Sequence, residues 1–543
     1  RHKIFDTNGS QILGNLNANG QVFLINPNGV IFGAGAQVNV GGLVASTLDI
    51  SSSTSNSTSF TGNSNSTGSV INLGKITAAN GGYVALLGNH VSNQGVISAQ
   101  LGTVALGAGS AITLSFNGSN LVRMVVDQSV LNTLADNGGL IQADGGKVLM
   151  TAGAAKSLLA SVVNNTGVIE ARTVKQQGGT ITLLGGMQNG TVNVAGTLDA
   201  SAPSTFNGQG GNGGFIETSA AHVAVADSAK VTTAAAMGLA GTWLIDPTDF
   251  TIAAGTAALT TSGIGASTLG TSLGSTNVTI ATSADTHGSD LGDINVNAPV
   301  TWSAHQLNLN ALNNININAN LNGSGTASLA LQYGQGAVAA GNTSTYNLNN
   351  GARVNLPSGS NFSTLLGSNG TATNYTVITS LGAANSATAT DLQGINGGLS
   401  GNYVLGGNID ATSTASWNTG AGFTPIGSSS GFTGTFDGLG HTISGLTINL
   451  PEQFSVGLFG IAKGLVQNVG LLGGSVTGAQ YVGSLVGYLQ TGTGAVMNSY
   501  ATGSVTAGRW GGGLIGVTVY NKMVSNSYAT GAVTGLKEGL EIG

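Results

Sequence analysis

Along most of the chain, apolar and polar residues alternate over a few positions before Gly, Asn or Ser breaks the run. Alternation of period two predicts short strands with one buried face. The apolar runs Val84–Leu87, Val148–Met150 and Ile181–Leu184 are strand-sized, well short of the roughly 18 to 20 residues that a helix needs to cross a bilayer. In the first half the alternation is organised by a phrase: Gly, any residue, Ile or Leu, any residue, Ala, then usually a Gly pair and a further strand. It begins at Gly74, Gly95, Gly139, Gly167 and Gly196, at separations of 21, 44, 28 and 29 residues. The separation of 44 is expected to divide into two units of 22.

A short strand cannot bury its apolar face alone, so copies must stack. Units of this size with strands this short predict an all-β fold, a parallel β-helix in which each coil pairs with the coils above and below. Ile76, Ile97, Ile141 and Ile169 would form an internal column. Gly is expected to supply left-handed corners, Asn to tolerate them, and like residues at turns to form amide ladders. At about 4.8 Å per coil, roughly 20 coils would make a rod about 100 Å long. A propeller needs longer, four-stranded blades, and the frame of a leucine-rich repeat is missing. Two Gly-free stretches, Asp127–Asp136 and Ala154–Val163, have helix-like spacing and are expected to be short helices on insertions.

The organisation predicted is threefold: a β-helix over 1–250, an Asn/Ser/Thr/Gly-rich solenoid over 251–430, and a second repeat region over 431–543. In the middle, Ile294–Asn322 alternates almost perfectly, whereas Ala253–Thr276 and Gly359–Thr373 read as loops. In the last region Gly457-Leu458-Phe459-Gly460, Ser484-Leu485-Val486-Gly487 and Gly513-Leu514-Ile515-Gly516 recur at 27 and 29 residues. The run Asn498–Gly503 returns at Asn526–Gly531, 28 residues on. Two motifs on one period again favour stacked coils.

Composition narrows the function. Of 543 residues 90 are Gly, only 6% are charged, and the net charge is -6. The 14 Lys and Arg are dispersed, which disfavours nucleic-acid binding, since phosphate recognition wants a basic patch. The absence of Cys excludes a disulfide scaffold, a zinc ribbon and a thiol nucleophile. It suits a chain that crosses an oxidising periplasm unfolded. The opening Arg1-His2-Lys3, without Met or signal pattern, reads as the start of a fragment of a longer protein.

The opening segment Gly14–Ile25, followed by Asn26-Pro27-Asn28-Gly29 and Val30-Ile31-Phe32-Gly33, resembles the secretion domain of filamentous-haemagglutinin-type exoproteins of two-partner secretion systems. The likeness continues through Asp136–Gly153, Val163–Ala171 and Gly241–Phe250. The closing repeats resemble the Gly-Leu-x-Gly (GLUG) motif of large bacterial surface proteins, with Ser484 replacing the first Gly of one copy. The resemblance implies a right-handed β-helix, exported through an outer-membrane pore partner, with Asn26, Pro27, Asn28 and Gly29 as the secretion motif. An upstream Asn-Pro-Asn motif usual in the family is not in this sequence.

Candidate chemistry is sparse. The six histidines lack metal-ligand spacing and there is no His-Glu-x-x-His. Asp285, Asp290 and Asp293 on a Gly-containing loop are a candidate Ca²⁺ site, weighed against a solvated loop. Asp246 and Asp249 read as turn caps, and Asp437-Gly438 as a turn. The sequons at Asn56, Asn65, Asn117, Asn277 and Asn369 are as expected by chance in so Asn-rich a chain. The reading is therefore a secreted or surface-exposed Gram-negative adhesin without catalysis or cofactor, binding a glycan or protein receptor. The alternatives are a β-helical polysaccharide lyase or hydrolase, and the stalk of a contact-dependent toxin.

Overall fold

A computed structural model describes all residues except 1, 4–6, 63–65, 155, 204, 207–208, 260, 284–289, 491–493, 520–521 and 537–543. The chain divides into two compact units. The first comprises Arg1–Asn316, Leu331–Tyr346 and Leu366–Gly370; the second comprises Ile317–Ala330, Asn347–Leu365 and Thr371–Gly543.

In the first unit the repeat phrase forms a column of parallel strands, Lys75–Ala78, Val96–Ser98, Leu140–Gln142, Val168–Glu170, Thr197–Asp199 and Lys230–Thr232. In register, Ile76, Ile97, Ile141, Ile169, Leu198 and Val231 follow one another, and the four isoleucines are fully buried. The strands after each Gly pair build a second parallel column, from Tyr83–Gly88 through Thr103–Ala108, Lys147–Ala152 and Thr180–Leu184 to Phe215–Ser219. A third runs from Val30–Phe32 through Ser69–Asn72 and His90–Asn93 to His222–Val225. The β-helix predicted from the sequence is the fold.

Ile97 pairs directly with Ile141, so the separation of 44 residues is one coil with an insertion rather than two coils. The insertion is a hairpin, Ala111–Asn117 and Asn120–Gln128, turning at Gly118 with φ +60°. It pairs antiparallel with Ser57–Thr61, which pairs with Asp49–Ser53. This four-stranded sheet covers a local core containing Leu48, Phe60, Tyr83, Ile112, Leu114 and Met124.

The expected helices are corrected as well. Asp127–Asp136 contributes to the strands Asn120–Gln128 and Thr133–Asn137, and the described residues of Ala154–Val163 are irregular before entering the strand Ser161–Asn165. The α-helix of the first unit is instead Ala266–Leu273, inside a stretch expected to be loop. Its Thr, Ser and Gly are poor helix formers, but Leu269 and Leu273 are fully buried, and that burial outweighs propensity. Likewise Gly359–Leu366 is a strand rather than a loop.

The Gly that opens each phrase works by space, not by φ. A Cβ on Gly95, Gly139, Gly167 or Gly196 would lie 2.2, 2.1, 2.2 or 2.0 Å from the carbonyl oxygen of the equivalent Gly one coil below. Successive coils approach backbone to backbone along this seam.

Beside it runs a feature the phrase itself does not contain. Asn72, Asn93, Asn137 and Asn165, each two residues before a phrase Gly, are fully buried and stack in register. Each amide NH₂ donates to the next Asn Oδ1 at 2.8 Å. The ladder ends where Phe32 and Val194 occupy the corresponding positions.

The second unit repeats the logic on its own period. Tyr500 pairs with Tyr528, and Val466 with Val496, which pairs in turn with Val524. Leu458 and Leu485 are fully buried and Leu514 nearly so. An exposed ladder, Asn526 to Asn498 to Asn468, marks one corner, each residue in the left-handed region with φ of 49–54°.

Candidate functional site

The strand Asn15–Ile25 runs from an exposed, polar start into buried Leu24 and Ile25, and then meets Asn26, which is fully buried. A buried amide must find partners for all its polar groups, and Asn26 does. Its backbone NH donates to Ser46 O at 3.0 Å, in the next coil. Its Nδ2 donates to Asn8 O and Ser10 Oγ, both at 2.9 Å, in the preceding coil. Its Oδ1 accepts the Asn28 NH at 2.9 Å and its carbonyl accepts the Gly29 NH at 3.0 Å. The result is an Asx turn inside a β-turn, with Pro27 fixing φ at the second position. Gly29 has φ +118°, a conformation that L side chains rarely adopt. Ser10 NH donates to Gly29 O at 2.9 Å, and Ser66 Oγ to Pro27 O at 3.0 Å. The corner is thus clamped by its neighbouring coils, while Pro27 and Asn28 face outward, exposed. It contains no ionisable group, so its chemistry is shape and hydrogen bonding.

The described acidic candidates are each engaged by groups of other coils. Asp285 and His287 lie outside the described residues. Asp290 Oδ2 accepts Thr248 Oγ1 at 2.9 Å, and Asp293 Oδ1 accepts the Asn314 NH and Asn313 Nδ2, both at 2.9 Å. Asp249 Oδ1 caps the NH groups of Gly292 and Asp293 at 2.7 and 2.8 Å. Asp249 and Asp293 hold backbone NH groups of other coils and Asp290 a hydroxyl, and burial pushes Asp249 above the usual carboxylate range. Asp246 is pushed up to about 6, by burial first and then by the charge of Glu217. Among the described residues no group of three or more acidic or histidine side chains is placed to hold a metal.

One ion-paired cluster escaped the sequence reading. Arg172 Nη2 lies 2.7 Å from Asp144 Oδ2 and 3.0 Å from Glu170 Oε2. Its hydrogen bonds to Asp144 raise its pKa further. The signal was available: the fourth residue of each phrase stacks in register as Ser98, Gln142, Glu170 and Asp199, so like charges accumulate unless a cation intervenes. Both oxygens of Asp144 bind the guanidinium, and Glu170 Oε2 also accepts Gln142 Nε2 at 3.0 Å.

The histidines stay apart in role. His441 is buried between Asn408 Oδ1 and Val354 O, at 3.2 and 2.9 Å, and burial holds its pKa below the ordinary value. His305 Nδ1 lies 2.8 Å from Leu273 O, at the end of the helix. Asp437, fully buried, caps Leu439 NH and accepts Gln467 and Asn468 side chains, the turn role expected of it. A cavity of about 600 Å³ beside the helix is lined by Ala254, Ser267, Gly270, Thr271, Ala298 and Thr301 among others. Its lining offers hydroxyls and methyls but no titratable group. Of the sequons, Asn65 lies outside the described residues; Asn56, Asn117 and Asn369 are exposed, whereas Asn277 is half-buried and bonded to Ala240 and Gly241 carbonyls.

Residues 2–200, which include the clamped corner, match the family described as the TPS secretion domain, and residues 478–506 match the GLUG motif. Over residues 2–200 the chain carries the secretion domain of two-partner secretion systems. The chain is similar to two proteins of Haemophilus influenzae named heme/hemopexin-binding protein. One is 36% identical over 192 residues and the other 35% over 207, each match covering 34% of this chain and 21% or 22% of theirs. Halomucin of Haloquadratum walsbyi is 43% identical over 131 residues, 23% of this chain and 1% of that one. The chain therefore spans about a fifth or less of the length of these relatives. A solved HMW1 secretion domain from Haemophilus influenzae aligns over 65% of this chain and 82% of its own, at 24% identity and a TM-score of 0.40.

Proposed function

We propose that this exoprotein is delivered across the outer membrane of a Gram-negative bacterium by a dedicated pore partner, and acts outside the cell as an adhesin. Binding a glycan or protein receptor is its whole chemistry, with no catalysis and no cofactor. The observation that carries the reading is the match to a secretion domain over residues 2–200, with the Asn26–Gly29 corner inside it. The corner supplies what a secretion signal read by a pore requires: a rigid turn with Pro27 and Asn28 presented outward. Each coil closes on its neighbours, so folding can begin at this end and propagate as chain emerges. Many weak contacts from repeated coils add by multivalency.

Two variants, each co-expressed with the pore partner, test the motif. Asn26→Ala strips three side-chain hydrogen bonds from a buried corner, and is expected to lower the extracellular yield at least tenfold. Pro27→Ala with Asn28→Ala alters only exposed side chains, and is expected to reduce export several-fold while the purified secretion domain keeps its melting temperature. Export of both variants at the parental level would overturn the assignment of the motif.

A further inference from the structure

In the second unit the strands Thr447–Val456, Ser475–Gly483 and Ser504–Gly512 stack in parallel. Phe454 pairs with Gln480 and Gln480 with Arg509, which sets Ser455, Tyr481 and Trp510 at one equivalent corner of successive coils. All three are in the left-handed region, with φ of 56, 55 and 50°. The neighbouring corner of the same coils is filled by a residue that tolerates the conformation, at Asn468, Asn498 and Asn526. A bulky aromatic there is strained, and strain of this kind is retained where a surface has work to do. Stacking alone does not require it: Tyr500 and Tyr528 stack, 8° from parallel, from strand positions outside that region.

The strained corner assembles a surface. Tyr481 stacks on Trp510 with centroids 5.2 Å apart and on Tyr488 at 5.4 Å. The Arg509 guanidinium lies 3.8 Å over the Trp510 ring. Phe454, 58% exposed, stands beside this row. Arg509 is exposed, and no ion pair joins it to a carboxylate among the described residues. It is the sole cation of the three strands; their sole anion is Glu452, on the bulge before Phe454.

We propose that Phe454, Tyr481, Tyr488, Arg509 and Trp510 form a binding platform for an acidic glycan. The apolar C–H faces of sugar rings pack on aromatic surfaces. A guanidinium held over an indole keeps N–H donors that match a carboxylate or sulfate in a bidentate fork. The proposal rests on the adhesive reading above and names its ligand class.

The test uses the full chain and three immobilised probes: hyaluronan, polysialic acid and neutral dextran. Wild type is expected to bind at least one acidic polymer and not dextran. Trp510→Asn and Tyr481→Asn place at each corner the residue that neighbouring corners already use. They are expected to leave the melting temperature unchanged and weaken binding at least tenfold. Arg509→Gln is expected to weaken acidic-polymer binding about tenfold and to flatten its salt dependence. Equal binding of dextran, no binding of either acidic polymer, or full binding by Trp510→Asn would overturn the platform. Cell adhesion that survives Trp510→Asn would sink the platform and leave the adhesive reading standing, whereas loss of adhesion by the wild-type exoprotein would sink the latter.

Discussion

Replacing Gly139 with alanine is expected to open the seam between coils and cost about 3 kcal/mol or more, at the upper end for overpacking. The new Cβ would sit 2.1 Å from Gly95 O, 2.8 Å from Gln94 C and 2.9 Å from Gly95 N. All three atoms are backbone, so no side chain can rotate away. Two coil-to-coil hydrogen bonds flank the site, Leu140 NH to Gly95 O and Val168 NH to Gly139 O, both 2.9 Å. Separating the coils lengthens both. Hydrogen–deuterium exchange is the appropriate measurement, because a stack of coils loses stability locally before it loses it globally. The amides of Leu140 and Val168 should exchange much faster, with distant coils little affected. Gly14→Ala is the control: its Cβ meets nothing within 4 Å, and exchange there should not change. Parental protection at Gly139→Ala would mean that the coils are not packed backbone to backbone.

The second large effect is expected at Asn137. Leucine of similar size would leave Asn93 Nδ2 without its 2.8 Å acceptor and Asn165 Oδ1 without its 2.8 Å donor. Each buried polar group left unpaired costs about 1–3 kcal/mol, so the variant should lose about 2–6 kcal/mol in all. The exposed Asn526–Asn498 pair has the same chemistry at 3.2 Å, but water can replace either partner. Asn526→Gly, which keeps the left-handed corner without strain, should therefore cost under about 1 kcal/mol. Denaturant titration of both variants checks the contrast. Equal losses would show that burial is not what gives the inner ladder its weight.

The residues that stack were the most legible in the sequence. Ile76, Ile97, Ile141 and Ile169 recur in one phrase, and periodicity places them in one column because each coil repeats the last. Periodicity is also where the reading failed. The interval between Ile97 and Ile141 was divisible by two, yet it holds a hairpin whose signal, Asn117-Gly118 between alternating apolar residues, is local rather than periodic. The helix Ala266–Leu273 was illegible because burial of Leu269 and Leu273 against the stack, not local preference, holds it. Of the site, Asn-Pro-Asn-Gly read as a tight turn, and it is one. That Asn26 reaches back to Asn8 and Ser10 depends on coil register, which no short motif carries. Amide ladders were anticipated, but the buried one sits two residues ahead of each phrase, where Asn was counted as ordinary punctuation.

All of these effects presuppose that coils pair in one particular register. The chain has no cysteine of its own, so introduced pairs report contacts without interference. Ser98 and Gln142 are partners in adjacent coils, and Glu170 follows one coil further on. Adjacent strands lie about 4.8 Å apart, within the roughly 4.4–6.8 Å a disulfide spans, whereas two spacings exceed it. Ser98→Cys with Gln142→Cys should therefore oxidise to a disulfide, and Ser98→Cys with Glu170→Cys should stay reduced. A reduced first pair, or a cross-linked second, would contradict the stacked register.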